Sequence, residues 1–242
     1  MHWVTGANGN QRDTTLRDAR KLNLFPSVTG ILDLIAKPAL TNWLIDQNIL
    51  AALTIPRVDG ESDEKLCRRI KHDGREEGKA AAQVGTDIHD AIEKMWKGES
   101  VKPEDYGAIA HEAIHAIIDH TQEADFWTAE TTVVGDGYGG KVDLHNEHYC
   151  IDYKTKNITD EVWEKSLTDK PPKLAYDEHC MQLSAYDKAL GGWGRKLVNV
   201  FVDRTIPGRV IIKEWDVNMY DRFELLVKFW QLTKGYKPDD RE

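Results

Sequence analysis

Asp143 closes one short apolar stretch, and nine residues later Ile151-Asp152-Tyr153-Lys154 forms another. Alternation along a strand puts Asp152 and Lys154 on one face, with Ile151 and Tyr153 on the other. If the two stretches are adjacent strands, Asp143 and Asp152 converge on one cation. Hard divalent ions prefer such oxygen ligands and keep several waters for substrate oxygens. Lys154, on the same face, can orient or help deprotonate a water and offset phosphate charge. On these three residues alone, an ion pair on a solvated edge strand is the simpler reading. A second pattern, His111-Glu112-Ala113-Ile114-His115, is a literal HExxH. On a helix its histidines share a face, and Glu112 can serve as base to a zinc-bound water. A catalytic zinc needs a third protein ligand, and no HxxGxxH extension follows, so a polar helix edge that carries histidine accounts for it as well. The third pattern, Gly135 to Gly140, satisfies GxGxxG. The dinucleotide fingerprint requires a helix to open there, whereas Lys141-Val142-Asp143-Leu144 reads as a strand. These glycines fit a hairpin turn and a close approach to the strand.

The elements that would position these residues follow from period and punctuation. Residues 1–25 are polar and rich in Gly, Asn, Thr and Arg, which reads as a flexible arm with little structure of its own. Ser27 can cap a short helix over Val28–Ala36, and Pro38 fits the first turn of another over Ala39–Leu53. Charged helical sequence covers Ser62–His72. A stronger helix covers Arg75–Lys97, with Ala81, Gly85, Ile88, Ile92 and Met95 or Trp96 on one stripe and Gly98 as its stop. Pro103 opens a further helix to His120. The period then changes to strands at Phe126–Val134, Tyr138–Leu144 and Tyr149–Lys154. A helix over Leu174–Leu190, strands at Leu197–Asp203 and Arg209–Trp215 and a helix over Asn218–Leu232 complete the chain. This order predicts an α+β or mixed α/β fold: a single domain over 26–242, divided into a helical N-terminal part (26–80) and a core (81–242).

Composition narrows the function classes. Lys and Arg number 32 against 41 Asp and Glu, a formal charge of −9, which excludes a general polyanion binder coated in basic surface. Any nucleic-acid contact is then local or helped by cations. Two segments supply local positive charge: Arg12, Arg17, Arg20 and Lys21 outweigh Asp13 and Asp18, and Lys65, Arg68, Arg69, Lys71, Arg75 and Lys79 outweigh Asp73, Glu76 and Glu77. The second reads equally well as a solvated helix face. No apolar run approaches the roughly 20 residues of a membrane span, and Met1 is not followed by a basic and apolar leader. Cys67, Cys150 and Cys180 support neither a disulfide framework nor a CxxC knuckle. Together these predict a protein without membrane contact in a reducing cytoplasm, the host's if it is phage-encoded.

Five motifs stand in one order: Gly85-Thr86-Asp87-Ile88-His89, Trp127-Thr128-Ala129-Glu130, Gly140-Lys141-Val142-Asp143, Ile151-Asp152-Tyr153-Lys154-Thr155 and Gln182-Leu183-Ser184-Ala185-Tyr186. They resemble the GxxxH helix, first-strand Glu, G-(R/K)-x-D strand, D-x-K-T strand and QxxxY helix of the RecB-type, phage exonuclease-like branch of the PD-(D/E)XK nuclease superfamily. Phe25-Pro26-Ser27-Val28-Thr29 also resembles phage-type members, and the likeness spans residues 25–205.

The resemblance implies a restriction-endonuclease-like αβββαβ core, a mixed central sheet flanked by helices. It implies Mg²⁺ or Mn²⁺, one or two ions, held by Asp143, Asp152 and the backbone oxygen of Tyr153, with His89 as a further ligand. Glu130 would bind a second ion or its water, and Lys154 would assist the attacking water. Gln182 and Tyr186 would contact Lys154 or the DNA backbone, and Thr155 and Lys141 a phosphate. Read as residues alone, His89 is equally a helix-edge histidine bonded to a neighbour, Glu130 the partner of a lysine, Tyr186 a core residue and Gln182 a capping group. Iron–sulfur relatives use four cysteines, which three scattered thiols cannot supply, so no cluster is expected. The implied activity is a DNA nuclease, an exonuclease acting on a single-stranded end, with a recombination or replication protein as partner. Trp43 and Trp96 are candidates for stacking unpaired bases. A partner-dependent DNA-binding module of the same fold is the alternative, and an HExxH zinc peptidase the remote one.

Overall fold

The computed structural model describes residues 3–5, 11–168, 170–192 and 194–238, with side chains from residue 14 onward. Part of the predicted arm (residues 1, 2 and 6–10, and the side chain of Arg12) lies outside the described residues. The rest of that stretch holds regular structure: a small antiparallel pair, β1 (Trp3–Thr5) and β2 (Gln11–Asp13), and a helix, α1 (Leu16–Leu22). A capping box explains the helix. Thr15 Oγ1 accepts from the Asp18 amide while Asp18 accepts from the Thr15 amide, so two exposed donors of the first turn are satisfied locally. The Tyr236 hydroxyl donates to Ala19 and Leu24 carbonyls, which ties the helix to the far end of the chain.

Next come α2 (Val28–Leu32), capped by Ser27, and α3 (Pro38–Thr54), with Pro38 in its first turn. The two helices read at 62–72 and 75–97 are one, α4 (Asp63–Trp96), of 34 residues. Gly74 does not break it: a Cβ there would lie 2.9 Å from Asn48 Oδ1 and 3.2 Å from its backbone nitrogen. The bare glycine lets α3 lie against α4, and this packing offsets a propensity cost of about 1 kcal/mol. A short 3₁₀ turn (Pro103–Asp105) and Tyr106, at φ 66°, precede α5 (Gly107–Thr121).

The sheet is built from β3 (Thr128–Gly135), β4 (Tyr138–His145), β5 (Tyr149–Lys156), β6 (Lys196–Asp203) and β7 (Val210–Trp215), in that spatial order. All neighbours are antiparallel except β5 and β6. A parallel pair needs a crossover, and α6 (Asp160–Ser166), which sequence reading missed, together with α7 (Asp177–Ala189) provides it. The last helix is α8 (Tyr220–Lys234). The chain thus adopts the predicted class: a mixed sheet flanked by helices, with a helical N-terminal part.

One apolar core joins α2, α7 and α8 to the sheet through Ile31, Val142, Cys150, Leu183 and Phe223. The other joins α4 and α5 to the opposite face through Ile88, Ile92, Ile117, Ile151 and Val200. β5 and β6, covered on both sides, carry the near-continuous buried runs that such strands require. No helix among the described residues is long and apolar enough to cross a membrane.

Candidate active site

The β4–β5 ladder pairs Leu144 with Ile151 and His145 with Cys150, and stops there. The next position belongs to Asp143 and Asp152, so the two carboxylates stand where the strands part. Asp143 Oδ2 accepts from the Tyr153 amide at 2.8 Å, which satisfies a backbone donor in the opened ladder.

Asp152 is buried, and both of its oxygens are held. Its Oδ1 accepts from Gln182 Nε2 (2.7 Å), and its Oδ2 accepts from Asn199 Nδ2 (2.8 Å) and pairs with Lys154 Nζ (2.6 Å). Gln182 Oε1 also accepts from Lys154 (3.2 Å), and its Nε2 lies 3.1 Å from the Tyr186 hydroxyl. α7 therefore delivers one amide that locks the acid to the lysine. Burial, then the charges of Asp152 and Asp143, push the Tyr186 hydroxyl far above the ordinary tyrosine range, which keeps it a neutral hydrogen-bonding group. A Cβ on Gly140 would lie 2.5 Å from Tyr186 Cε1, so that glycine of the G-(R/K)-x-D strand makes room for the tyrosine ring.

Asn199 was not singled out from sequence. It faces Asp152 across the parallel β5–β6 pair and accepts from Trp215 Nε1 on β7 at 2.8 Å. Its signal was a lone amide inside the apolar run Leu197-Val198-Asn199-Val200-Phe201. His179, one turn before Gln182, was missed too, because the motif reading began at Gln182.

A second set of donors gathers around Asp143. One ligand atom from each of His89, Glu130 and Asp143 lies within 4.8 Å of the others, with His89 Nδ1 3.6 Å from Asp143 Oδ2. Gly85 places the histidine: a Cβ there would lie 2.7 Å from Thr155 Oγ1, so the bare face of α4 rests on β5 and the next turn presents His89. Glu130 has φ 58° within a strand, a costly conformation for a residue with a side chain. Ala129 and Leu144 pack with the α4–α5 core, whereas Val133 and Val142 pack with the α7–α8 core, so the β3–β4 ribbon rolls over at the Glu130–Asp143 position. Lys141 pairs with Glu130.

Burial, followed by repulsion from Asp152, raises the Asp143 pKa to about 6, against the opposing pull of His89, Lys154 and the Tyr153 amide. The acidic pair is short of positive charge. An imidazole and two carboxylates around such a deficit fit a hard divalent cation.

The predicted residues thus fall into two linked groups. His89, Glu130 and Asp143 form the donor cluster; Asp152, Lys154, Gln182 and Tyr186 form the locked network, joined to the first through Tyr153. The Tyr153 ring is buried against α4, its hydroxyl accepting from Trp96 Nε1 at 3.1 Å, which packs the half-buried Trp96 against that core. Thr155 is turned toward Gly85. In the HExxH pattern, His111 and His115 bring their Nε2 atoms to 3.1 Å on the exposed side of α5. Glu112 lies 3.4 Å from the other ring nitrogen of His111, and among the described residues no cluster of three ligand atoms includes this pair, so the zinc-peptidase reading lacks its third ligand. The GxGxxG glycines form the β3–β4 turn and lead into a strand, as expected.

No family model and no curated protein matches the chain. Among solved structures it is similar to an alkaline exonuclease (LHK-Exo) from Laribacter hongkongensis, at TM-score 0.38 and 14% identity over 81% of this chain and 92% of that one. It is also similar to the protein SSO0001, at TM-score 0.32 and 15% identity over 81% of this chain and 88% of that one. Likenesses this loose carry no argument, and the reading of the site rests on its own chemistry.

Proposed function

We propose that the chain is a divalent-metal-dependent nuclease that hydrolyses DNA phosphodiester bonds, as an exonuclease of recombination, repair or phage DNA metabolism. The observation that carries this reading is the fork between β4 and β5, where two acids stand together with a lysine locked to one of them and a histidine and a glutamate beside the other. Asp143, His89 and Glu130 would hold Mg²⁺ or Mn²⁺, with Asp152 and the Tyr153 carbonyl completing the set. Such a cation supplies Lewis-acid stabilisation of phosphate oxygens and a more acidic water at neutral pH.

The chain's own groups do the rest. Lys154 has three N–H donors; Asp152 and Gln182 take two, which leaves one for a water or a phosphate oxygen. Its charge opposes the negative charge that builds on the phosphate during in-line attack. Because Gln182 fixes both members of the Asp152–Lys154 pair, their geometry is set before substrate arrives.

The test incubates the protein with end-labelled single- and double-stranded DNA in Mg²⁺, Mn²⁺, Zn²⁺ or EDTA, beside Asp152→Ala. Cleavage in Mg²⁺ or Mn²⁺ that disappears in EDTA and in the variant is the expected result, and the label pattern separates end from internal cutting. DNA bound but never cut, under any metal, would replace the enzyme with a binding module.

A further inference from the structure

We propose that the cleft between α3 and α7 receives an unpaired DNA strand and leads it to Lys154, with Trp43 and Tyr176 stacking on bases and Lys156 and His179 contacting phosphates. The inference rests on the nuclease reading and assigns its substrate path. The cleft encloses about 810 Å³ and is lined by Lys37, Trp43, Lys154, Lys156, Tyr176 and His179 among others. That volume falls in the ~300–1,000 Å³ range of ligand clefts, room for a few unpaired nucleotides.

The three lysines differ in state. Lys37 pairs with Asp33 at 2.6 Å and Lys154 with Asp152. Lys156 forms no ion pair among the described residues; its ammonium lies 5.8 Å from the centre of the Phe201 ring. Burial, with Lys154 nearby, holds the Lys156 pKa below the ordinary lysine value, and Glu178 offsets this only in part. A half-buried cation short of counter-charge, on the same strand as Lys154, is what an incoming phosphate would satisfy.

His179 adds a neutral donor. Its Nδ1 accepts from the Tyr176 amide at 3.3 Å as part of the α7 cap, so the ring proton sits on Nε2. Trp43 rests on Gly78 of α4, where a Cβ would lie 3.3 Å from the indole, and stays half-buried. Tyr176 sits edge-on to His179. Rings beside cations along one groove are the recurrent means of holding a single strand without reading its sequence.

Fluorescence anisotropy in EDTA, where nothing is cut, tests the path with labelled oligothymidylate and a blunt duplex of equal length. The wild-type protein should favour the single strand. Trp43→Ala should bind it about tenfold more weakly, the loss expected for one stacked base. Lys156→Ala, a change that removes no packed ring, should weaken binding and lower the salt slope by about one. If both variants bind like the wild type while metal-dependent cleavage persists, the path is wrong and the nuclease stands. If the wild type neither binds nor cuts DNA with any metal, both readings fall.

Discussion

Lys154 is restrained by two acceptors, and its third proton is what the chemistry has left to use. Lys154→Ala should lower cleavage by about 10²–10⁴-fold while DNA binding in EDTA persists, since it removes charge stabilisation and a water contact together. Undiminished cleavage by this variant would remove the lysine from the mechanism. Asn199 acts one bond further back: Asn199→Leu would strip Asp152 Oδ2 of a donor and leave Trp215 Nε1 without its acceptor. A loss of about 1–3 kcal/mol in urea unfolding is expected for such orphaned buried groups. His179 gives a pH signature. Burial, then Lys154, lowers its pKa from 6.5 to about 4, with Asp152 opposing and Lys156 and Lys37 adding to the shift. Between those values the unfolded chain binds more protons than the folded one, so stability present above pH 6.5 is lost as pH falls toward 4. The raised Asp143 pKa acts with the opposite sign over much of the same range, so the signature is a difference: between pH 6.5 and 4 the wild type should lose more thermal stability than His179→Gln does, and equal losses would remove His179 from the effect. Sequence reading found Asp143, Asp152 and Lys154 because alternation is a local rule. It missed Asn199 because that contact arrives through a parallel crossover of some forty residues, and His179 because its partner is a helix cap.

Elements meet at this site through missing side chains. Gly85 lets α4 touch β5, Gly140 lets Tyr186 lie on β4, and Gly74 and Gly78 let α3 lie along α4. Gly85→Val would push α4 off Thr155 and carry His89 away from Asp143. Since a displacement of about 1 Å at a catalytic group can cost 10²-fold, the variant should lose most of its activity while remaining folded by circular dichroism. Activity close to wild type would mean that His89 does not act. The strand and helix order was legible because period and punctuation agree along the core. Two features were not. The continuity of α4 depends on what packs against Asp73-Gly74, and the roll of the β3–β4 ribbon at Glu130 depends on two cores competing for opposite faces.

Over the whole molecule the negative charge is offset locally and not globally. Lys65, Arg68, Lys71 and Arg75 are exposed on the N-terminal half of α4 and form no ion pair among the described residues, whereas Arg69 is bound to buried Glu61. If this half meets DNA, replacing Arg68 and Lys71 with alanine should reduce the salt slope of binding by about two; an unchanged slope would leave it a solvated face. If it does meet DNA, the length of α4 makes that half a ruler. Arg68 and His89 are separated by 21 residues of one unbroken helix, which at ~1.5 Å per residue is about 32 Å. At ~3.4 Å per base pair this spans about nine base pairs. If a duplex runs along α4 behind the unpaired end, one shorter than that would reach His89 without touching Arg68, so turnover should climb with duplex length and level off near nine pairs; turnover independent of length would leave α4 out of the contact.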